Sequence, residues 1–339
     1  MVFTIGIDPH KATHTAAVLD GSETVSPNSA SLLTVINAIV CCRSRNGFTP
    51  RTWAIEQATG LGALLAQQLV AVGETVLDVP PTLSARVRLL DSTRTDKTDS
   101  HDARAAAIVA LRHQRLRPVT LVDHSAVLRL LADRHHDLTA LRTQAVCRLH
   151  ALLCQLTAGG AAGRLSAPRA AQILRHIRAF EPVGTERKRV ALELLGNLRR
   201  FDNQLVSVNE RIVEAVLTSG TTATNVHGVG ALGAAIIVGH TADITRFPDA
   251  GHYARYNGTA PIEASSALKN RHRLNPRGNR QLNCALHVAA VTQVAHDTDG
   301  RVYYQRKLAE GKSRKEALRA LKRQISNAVY RRLVADTRR

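Results

Sequence analysis

Four acidic residues stand where a pair of divalent cations could be held. Asp8 closes the apolar run Val2-Phe3-Thr4-Ile5-Gly6-Ile7, and Glu56 closes Thr52-Trp53-Ala54-Ile55. Asp99 and Asp102 lie in the polar segment 94–104. A carboxylate at a strand end projects from the sheet edge, and residues i and i+3 share one helix face. Two such strands beside one such helix gather four carboxylates. Hard Mg²⁺ takes oxygen ligands, and once bound it activates water or clamps a phosphate. Each acid also has a plainer use, in capping a turn or a helix. Asp96 continues the i, i+3 spacing and rivals its neighbours as a ligand.

The elements that must position these residues can be read along the chain. Residues 2–8 and 13–19 look like strands joined by a short turn through Pro9-His10-Lys11. Residues 51–56 and 74–79 read as further strands, the second ending at Pro80-Pro81, while 31–42, 60–72 and 101–113 have helical periodicity. A hairpin followed by β-α-β-α units predicts a mixed sheet flanked by helices over residues 1–115, with Asp8 and Glu56 near its centre.

Residues 116–222 show no strand pattern. Leu128, Leu131, Leu138, Leu141, Leu149 and Leu152 mark an apolar stripe through a long helix, which Gly159-Gly160 breaks, and helices over 168–180 and 185–217 follow. Antiparallel long helices, partly coiled-coil, are expected here. Residues 223–339 form a third, mainly helical segment ending in a basic helix over 313–335. The fold class is therefore α/β followed by all-α. In the third segment, Gly228 and Gly230 precede an apolar helix. Amides at a helix N-terminus can hold a phosphate, so this Gly-Val-Gly suits a helix-hairpin-helix element, although a tight turn needs the same glycines.

Charge points to a polyanionic partner. The 339 residues carry a formal net charge of +19. Residues 1–115 hold 11 Lys+Arg against 10 Asp+Glu, which leaves 35 against 17, a net of +18, for 116–339. Lys and Arg at phosphates release counterions and bind nucleic acid in a salt-dependent way. No apolar run approaches the roughly 20 residues of a membrane span, and the N-terminus enters a strand pattern with no charged leader. The five cysteines have no zinc-ligand spacing. Cys147 and Cys154, a heptad apart, read as helix core, and a reduced cytoplasmic setting is expected.

The motifs themselves carry a resemblance. Gly6-Ile7-Asp8-Pro9-His10-Lys11, Ala54-Ile55-Glu56 and the run from Thr95 to Ala103 resemble the motifs of DEDD transposases of the insertion-sequence 110 family. Downstream, Gly228-Val229-Gly230, Ile244-Thr245-Arg246-Phe247, Tyr256-Asn257-Gly258, Ser265-Ser266 and Arg277-Gly278-Asn279-Arg280 are similar to that family's second domain in order and spacing. The resemblance spans nearly the whole chain. It implies an RNase H-like (RuvC-type) domain at 1–115, a coiled-coil region at 116–222 and a C-terminal transposase domain at 223–339. It also implies a nucleoid-associated DNA recombinase that is guided by a structured bridge RNA and acts as a homodimer or homotetramer.

By the same resemblance, Asp8, Glu56, Asp99 and Asp102 are the ligands of Mg²⁺ (or Mn²⁺), two ions in all. Ser266 is the nucleophile, with Ser265 its neighbour in register. The family's usual Ser-Ser-Gly stands here as Ser265-Ser266-Ala267. Arg271, Arg273, Arg277 and Arg280, with the amides at Gly228 and Gly230, are then placed to contact phosphates. The resemblance also implies that acids and serine come from different protomers. The alternative is a metal-dependent Holliday-junction endonuclease that uses the four acids alone with water as nucleophile.

Overall fold

Apolar and small residues make Phe3–Pro9 (β1) an inner strand of a mixed sheet. The structure is a computed structural model, describing residues 3–11, 13–24, 32–33, 50–91, 98–263, 272–273, 275 and 278–338. Its contacts divide the chain into two units, Met1–Val122 and Asp123–Arg339.

In the first unit, β1 pairs antiparallel with His14–Leu19 (β2), which in turn pairs with Leu32–Leu33 (β3). On its other side β1 runs parallel to Arg51–Glu56 (β4), and β4 runs parallel to Thr75–Val79 (β5). Arg117–Pro118 (β6) closes the order β3-β2-β1-β4-β5-β6. Helix α1 (Ala63–Ala71) connects β4 to β5, α2 (Pro81–Asp91) follows β5, and α3 (Asp99–Arg112) lies against β1, β2 and β4. The expected mixed sheet is present.

The strand expected to end at Pro80-Pro81 does so, and Pro81 is also the first residue of α2, a position where its missing N–H costs nothing. Two local expectations differ. The helix expected over 31–42 begins instead with the two strand residues of β3, and the rest of it lies outside the described residues. Arg117 and Pro118, assigned to a strand-free region, pair with Asp78 and Leu77 at the sheet edge.

The second unit is helical. Helix α4 (His124–Leu156) and helix α6 (Pro182–Thr218) pack antiparallel, with α5 (Ala167–His176) between them in sequence. Leu128, Leu131 and Leu138 share a core with Val208, Ile212 and Val216, while Leu149 and Leu153 meet Ala191, Leu195 and Leu198. The buried seam of α4 includes Leu131, Leu138 and Ala145 at heptad spacing, then Leu149 and Leu153. Leu141 falls out of that phase and is exposed, and so are Cys147 and Cys154, which are not core residues. Helices α7 (Ala231–Thr241), α8 (Ala250–Tyr256), α9 (Arg280–Ala295), α10 (Asp299–Ala309) and α11 (Arg314–Asp336) complete the unit. A two-stranded ribbon, Ile262–Glu263 (β7) with His272–Arg273 (β8), lies between α8 and α9 in sequence.

One contact sets the depth of α3 on the sheet. A Cβ on Gly6 would lie 2.0 Å from the Ala103 carbonyl oxygen and 2.7 Å from the Ala107 nitrogen. The facing residues Ala103, Ala106 and Ala107 are fully buried. Because backbone atoms cannot step aside, Gly6→Ala must push α3 off β1. Overpacking of this kind costs about 1–3 kcal/mol, so the variant is expected to melt several degrees lower with an unchanged helix content. A wild-type melting curve would show that α3 does not rest on Gly6.

Candidate active site

Because β1 and β4 are parallel and Ile7 pairs with Ile55, Asp8 and Glu56 emerge side by side from one sheet edge. Open α/β sheets hold their ligands at this carboxyl edge. The turn after Glu56 is tightly specified. Gln57 adopts φ +51 and donates its N–H to the Val79 carbonyl, and the Asp78 carboxylate accepts from the Ala58 N–H. A non-glycine residue at positive φ is held only where its surroundings over-determine it.

Helix α3 brings the other pair. Thr98 caps it, its Oγ1 accepting from the His101 N–H, and Asp99 and Asp102 occupy the first turn, where the helix dipole favours negative charge. Asp102 points inward with 5% of its side chain exposed, and Arg88 of α2 donates to it at 2.6 Å. Asp99 stays 63% exposed. All four carboxylates line one cavity of about 480 Å³, together with His10, Pro81, Thr82, Ala85 and Arg88.

Two of those residues have no assigned part in the sequence reading. His10 sits two residues beyond Asp8, and its Nε2 lies 3.3 Å from an oxygen of Asp8 and 3.3 Å from one of Asp99. Asp8, His10 and Asp99 each offer one atom, all within 4.8 Å of one another, which is spacing for a single ion. His10 is legible as part of the Asp8-Pro9-His10 motif. Arg88 is not legible, because it belongs to a helix that starts at a proline pair.

The electrostatics reflect this crowding. Burial pushes the Asp8 carboxyl up to about 6. The imidazole of His10 opposes that shift, and the negative charges of Asp102, Glu56 and Asp99 add to it. Four carboxylates lining one cavity suit hard divalent cations.

In the second unit the sequence-marked glycines separate. Gly228 has φ +84, and a Cβ there would lie 2.8 Å from the Ala289 carbonyl oxygen of α9, so close packing alone requires glycine. Gly230 caps α7 and faces open space. Arg280 opens α9 and is exposed, and the backbone of Arg273 pairs with Ile262 in the ribbon. Ser265, Ser266, Arg271, Arg277 and Asp96 lie outside the described residues.

The residues on either side of the serine-bearing stretch, Gly258 and Gly278, meet closely. A Cβ on Gly278 would lie 2.4 Å from the Gly258 Cα, and the Asn279 N–H donates to the Tyr256 carbonyl at 2.7 Å. A buried polar knot braces this closure. Asn257 Nδ2 donates to Ser326 Oγ, Asn283 Nδ2 to the Asn257 carbonyl, and Lys322 Nζ to Asn283 Oδ1 at 2.6 Å. Burial, with the Arg280 charge nearby, lowers the Lys322 ammonium below its usual range.

The sequence is similar to that of known proteins. A family model of the DEDD IS110 type, described as a transposase, matches residues 5–157. A second, described as the transposase IS116/IS110/IS902 family, matches residues 221–305. The chain is 27% identical to the 42 kDa protein of insertion element IS900 of Mycobacterium paratuberculosis, over 96% of its own length and 94% of that protein. It is 26% identical to the 44.8 kDa protein of insertion element IS116 of Streptomyces clavuligerus, over 96% and 93%. A shorter stretch is 38% identical to the 43.6 kDa protein of insertion element IS110 of Streptomyces coelicolor, over 32% of this chain and 27% of that one. With two models matched in order and relatives aligned almost end to end, the chain belongs to the IS110 family of transposases.

Proposed function

We propose that this transposase cuts and rejoins DNA with a carboxylate tetrad, Asp8, Glu56, Asp99 and Asp102, that holds two Mg²⁺ or Mn²⁺ ions, and with Ser266 as nucleophile. The observation that carries the metal half is the gathering of all four carboxylates round one cavity. Cations bound there neutralise phosphate charge and polarise the phosphoryl oxygens. His10, when protonated, offsets the charge of Asp8 and Asp99, and when neutral it can add a nitrogen ligand. Arg88 holds Asp102 in place from the opposite side.

The Ser266 hydroxyl attacks a backbone phosphorus. The new bond joins serine oxygen to phosphorus, the bond to the 3′ oxygen breaks, the serine proton passes to a base, and the departing 3′ oxygen takes up a proton from solvent to become a hydroxyl. A 5′ phosphoserine results. Its phosphoester keeps the bond energy, so the 3′ hydroxyl of another strand can displace the serine. The resemblance supplies the serine assignment, the bridge RNA guide, the homodimeric or homotetrameric state and the division at 115 and 222. Supporting it, the Gly258–Gly278 closure holds both ends of the serine-bearing segment together. Arg271, Arg273, Arg277 and Arg280, with the α7 amides beyond Gly228 and Gly230, are assigned to phosphates.

The metal site is testable without catalysis. Asp8 takes up its proton in the native state near pH 6 and in the unfolded chain near 3.8. A carboxyl with a raised native value contributes stability at low pH and loses it as pH rises through that value. In chelator, the wild-type melting temperature relative to Asp8→Asn is therefore expected to fall from pH 4 to pH 7, and Mg²⁺ at pH 7 should raise the wild type alone. Asp8→Asn and Glu56→Gln should abolish strand cleavage while DNA binding persists. Full cleavage in excess chelator would sink the metal assignment.

Ser266→Ala is expected to eliminate both recombination and a covalent protein–DNA adduct, with Ser265→Ala retaining some of each. Mass spectrometry of the adduct peptide identifies the residue. Active enzyme with no adduct would instead favour water as nucleophile, the junction-endonuclease reading.

RNA dependence is tested separately. Recombination should cease after exhaustive RNase treatment and return on adding the element's structured RNA. Undiminished recombination by RNA-free protein would refute the guide.

A further inference from the structure

We infer that Arg246 is a DNA-backbone phosphate clamp, held ready by an aromatic platform in the second unit. Arg246 ends the short 3₁₀ turn Ile244–Arg246. Its guanidinium carbon lies 4.5 Å from the ring centroid of Phe247 and 4.5 Å from that of Tyr256. The two centroids are 5.2 Å apart, so the guanidinium spans both rings from one side and is not enclosed between them. Attraction to two ring faces fixes a side chain that otherwise samples many rotamers.

The platform is itself pinned. Tyr256 Oη donates to the His240 carbonyl at 3.0 Å, and Tyr330 of α11 donates to the Phe247 carbonyl at 3.1 Å. Phe247 also packs on the buried Tyr253 ring. The neighbouring acids are engaged elsewhere. Asp243 caps the turn by accepting from Thr245, and Asp249 accepts from the backbone and ring of His252. Arg246 has no carboxylate partner among the described residues, and its Nε is buried without an acceptor. A half-buried arginine, rigidly placed and lacking an anion, is a planar fork suited to a phosphate.

Its position says which phosphate. Tyr256 carries the guanidinium on its ring and, through its carbonyl, holds Asn279 at the closure of the serine-bearing segment. The clamp therefore stands at the base of that segment, which favours the DNA strand being cut over a guide RNA. This step rests on the proposed role of Ser266, whereas binding by Arg246 does not.

The test is equilibrium binding of a DNA duplex by the full chain, in chelator, across a salt series. Arg246→Gln should weaken binding equally on unrelated sequences and reduce the slope of log K against log salt by about 1, with an unchanged melting temperature. Arg246→Lys should restore the slope but not the full affinity, because ammonium keeps the charge and loses the fork. An unchanged slope in Arg246→Gln would overturn the inference and leave the arginine as a cover for the rings. If Arg246→Gln melts early, Arg246→Lys decides, and wild-type affinity in that variant overturns the fork. Loss confined to a structured RNA probe would overturn the assignment to DNA. If the wild type bound DNA with no salt dependence, the proposed DNA function would fall too. If Ser266→Ala proves active while Arg246→Gln shows the reduced slope, the clamp stands and only the serine fails.

Discussion

The first unit depends on one approach between two backbones. Helix α3 can lie on β1 only because Gly6 has no Cβ, and the alanines opposite it add almost no bulk. A helix seated any higher would lift Asp102 and Asp99 away from the sheet edge where Asp8 and Glu56 emerge. The tetrad is thus a product of sterics before it is one of electrostatics. Parallel pairing of β1 with β4 sets one pair of carboxylates level, and the depth of α3 sets the other pair against them.

That geometry works against the apo fold. Bringing carboxylates into a partly buried cavity raises the cost of ionising them, as Asp8 shows, and the proposed cations would offset that cost. Arg88 takes the most buried acid, Asp102, and His10 Nε2 lies 3.3 Å from both Asp8 and Asp99. Functional sites commonly hold such locally unfavourable arrangements when the surroundings over-determine them. The over-determination is visible in the Gln57 turn, in the Asp78 bond to the Ala58 N–H, and in the Thr98 cap.

Much of this was legible in the sequence wherever the pattern is local. The strand-end acids, the i, i+3 pair and the long helices follow from periodicity and caps. Features that arise from contacts between distant segments were not. Arg88 sits on a helix whose opening Pro80-Pro81 reads as a stop, yet the same proline is a good first helical residue. Leu141, Cys147 and the seam residues are equally apolar by type, and only the phase of α4 against α6 decides which of them are buried. Gly228 reads as a phosphate-facing glycine, while the space it needs is taken by Ala289 of α9. A sequence shows that a glycine is required without showing what approaches it.

The same distinction governs the positive charge. A net of +18 over residues 116–339 identifies a polyanion as the partner but cannot say which arginines touch it. Several are already committed internally: Arg142 pairs with Asp202, Arg189 with Glu186, and Arg129 lies 3.7 Å from Asp133. A cation in such a pair presents a weakened field and must break a bond before it binds a phosphate. An arginine that is positioned by uncharged rings carries no such cost. Preorganisation without neutralisation therefore separates arginines built for recognition from those built for the fold, and it is visible only once aromatic contacts and ion pairs are known together.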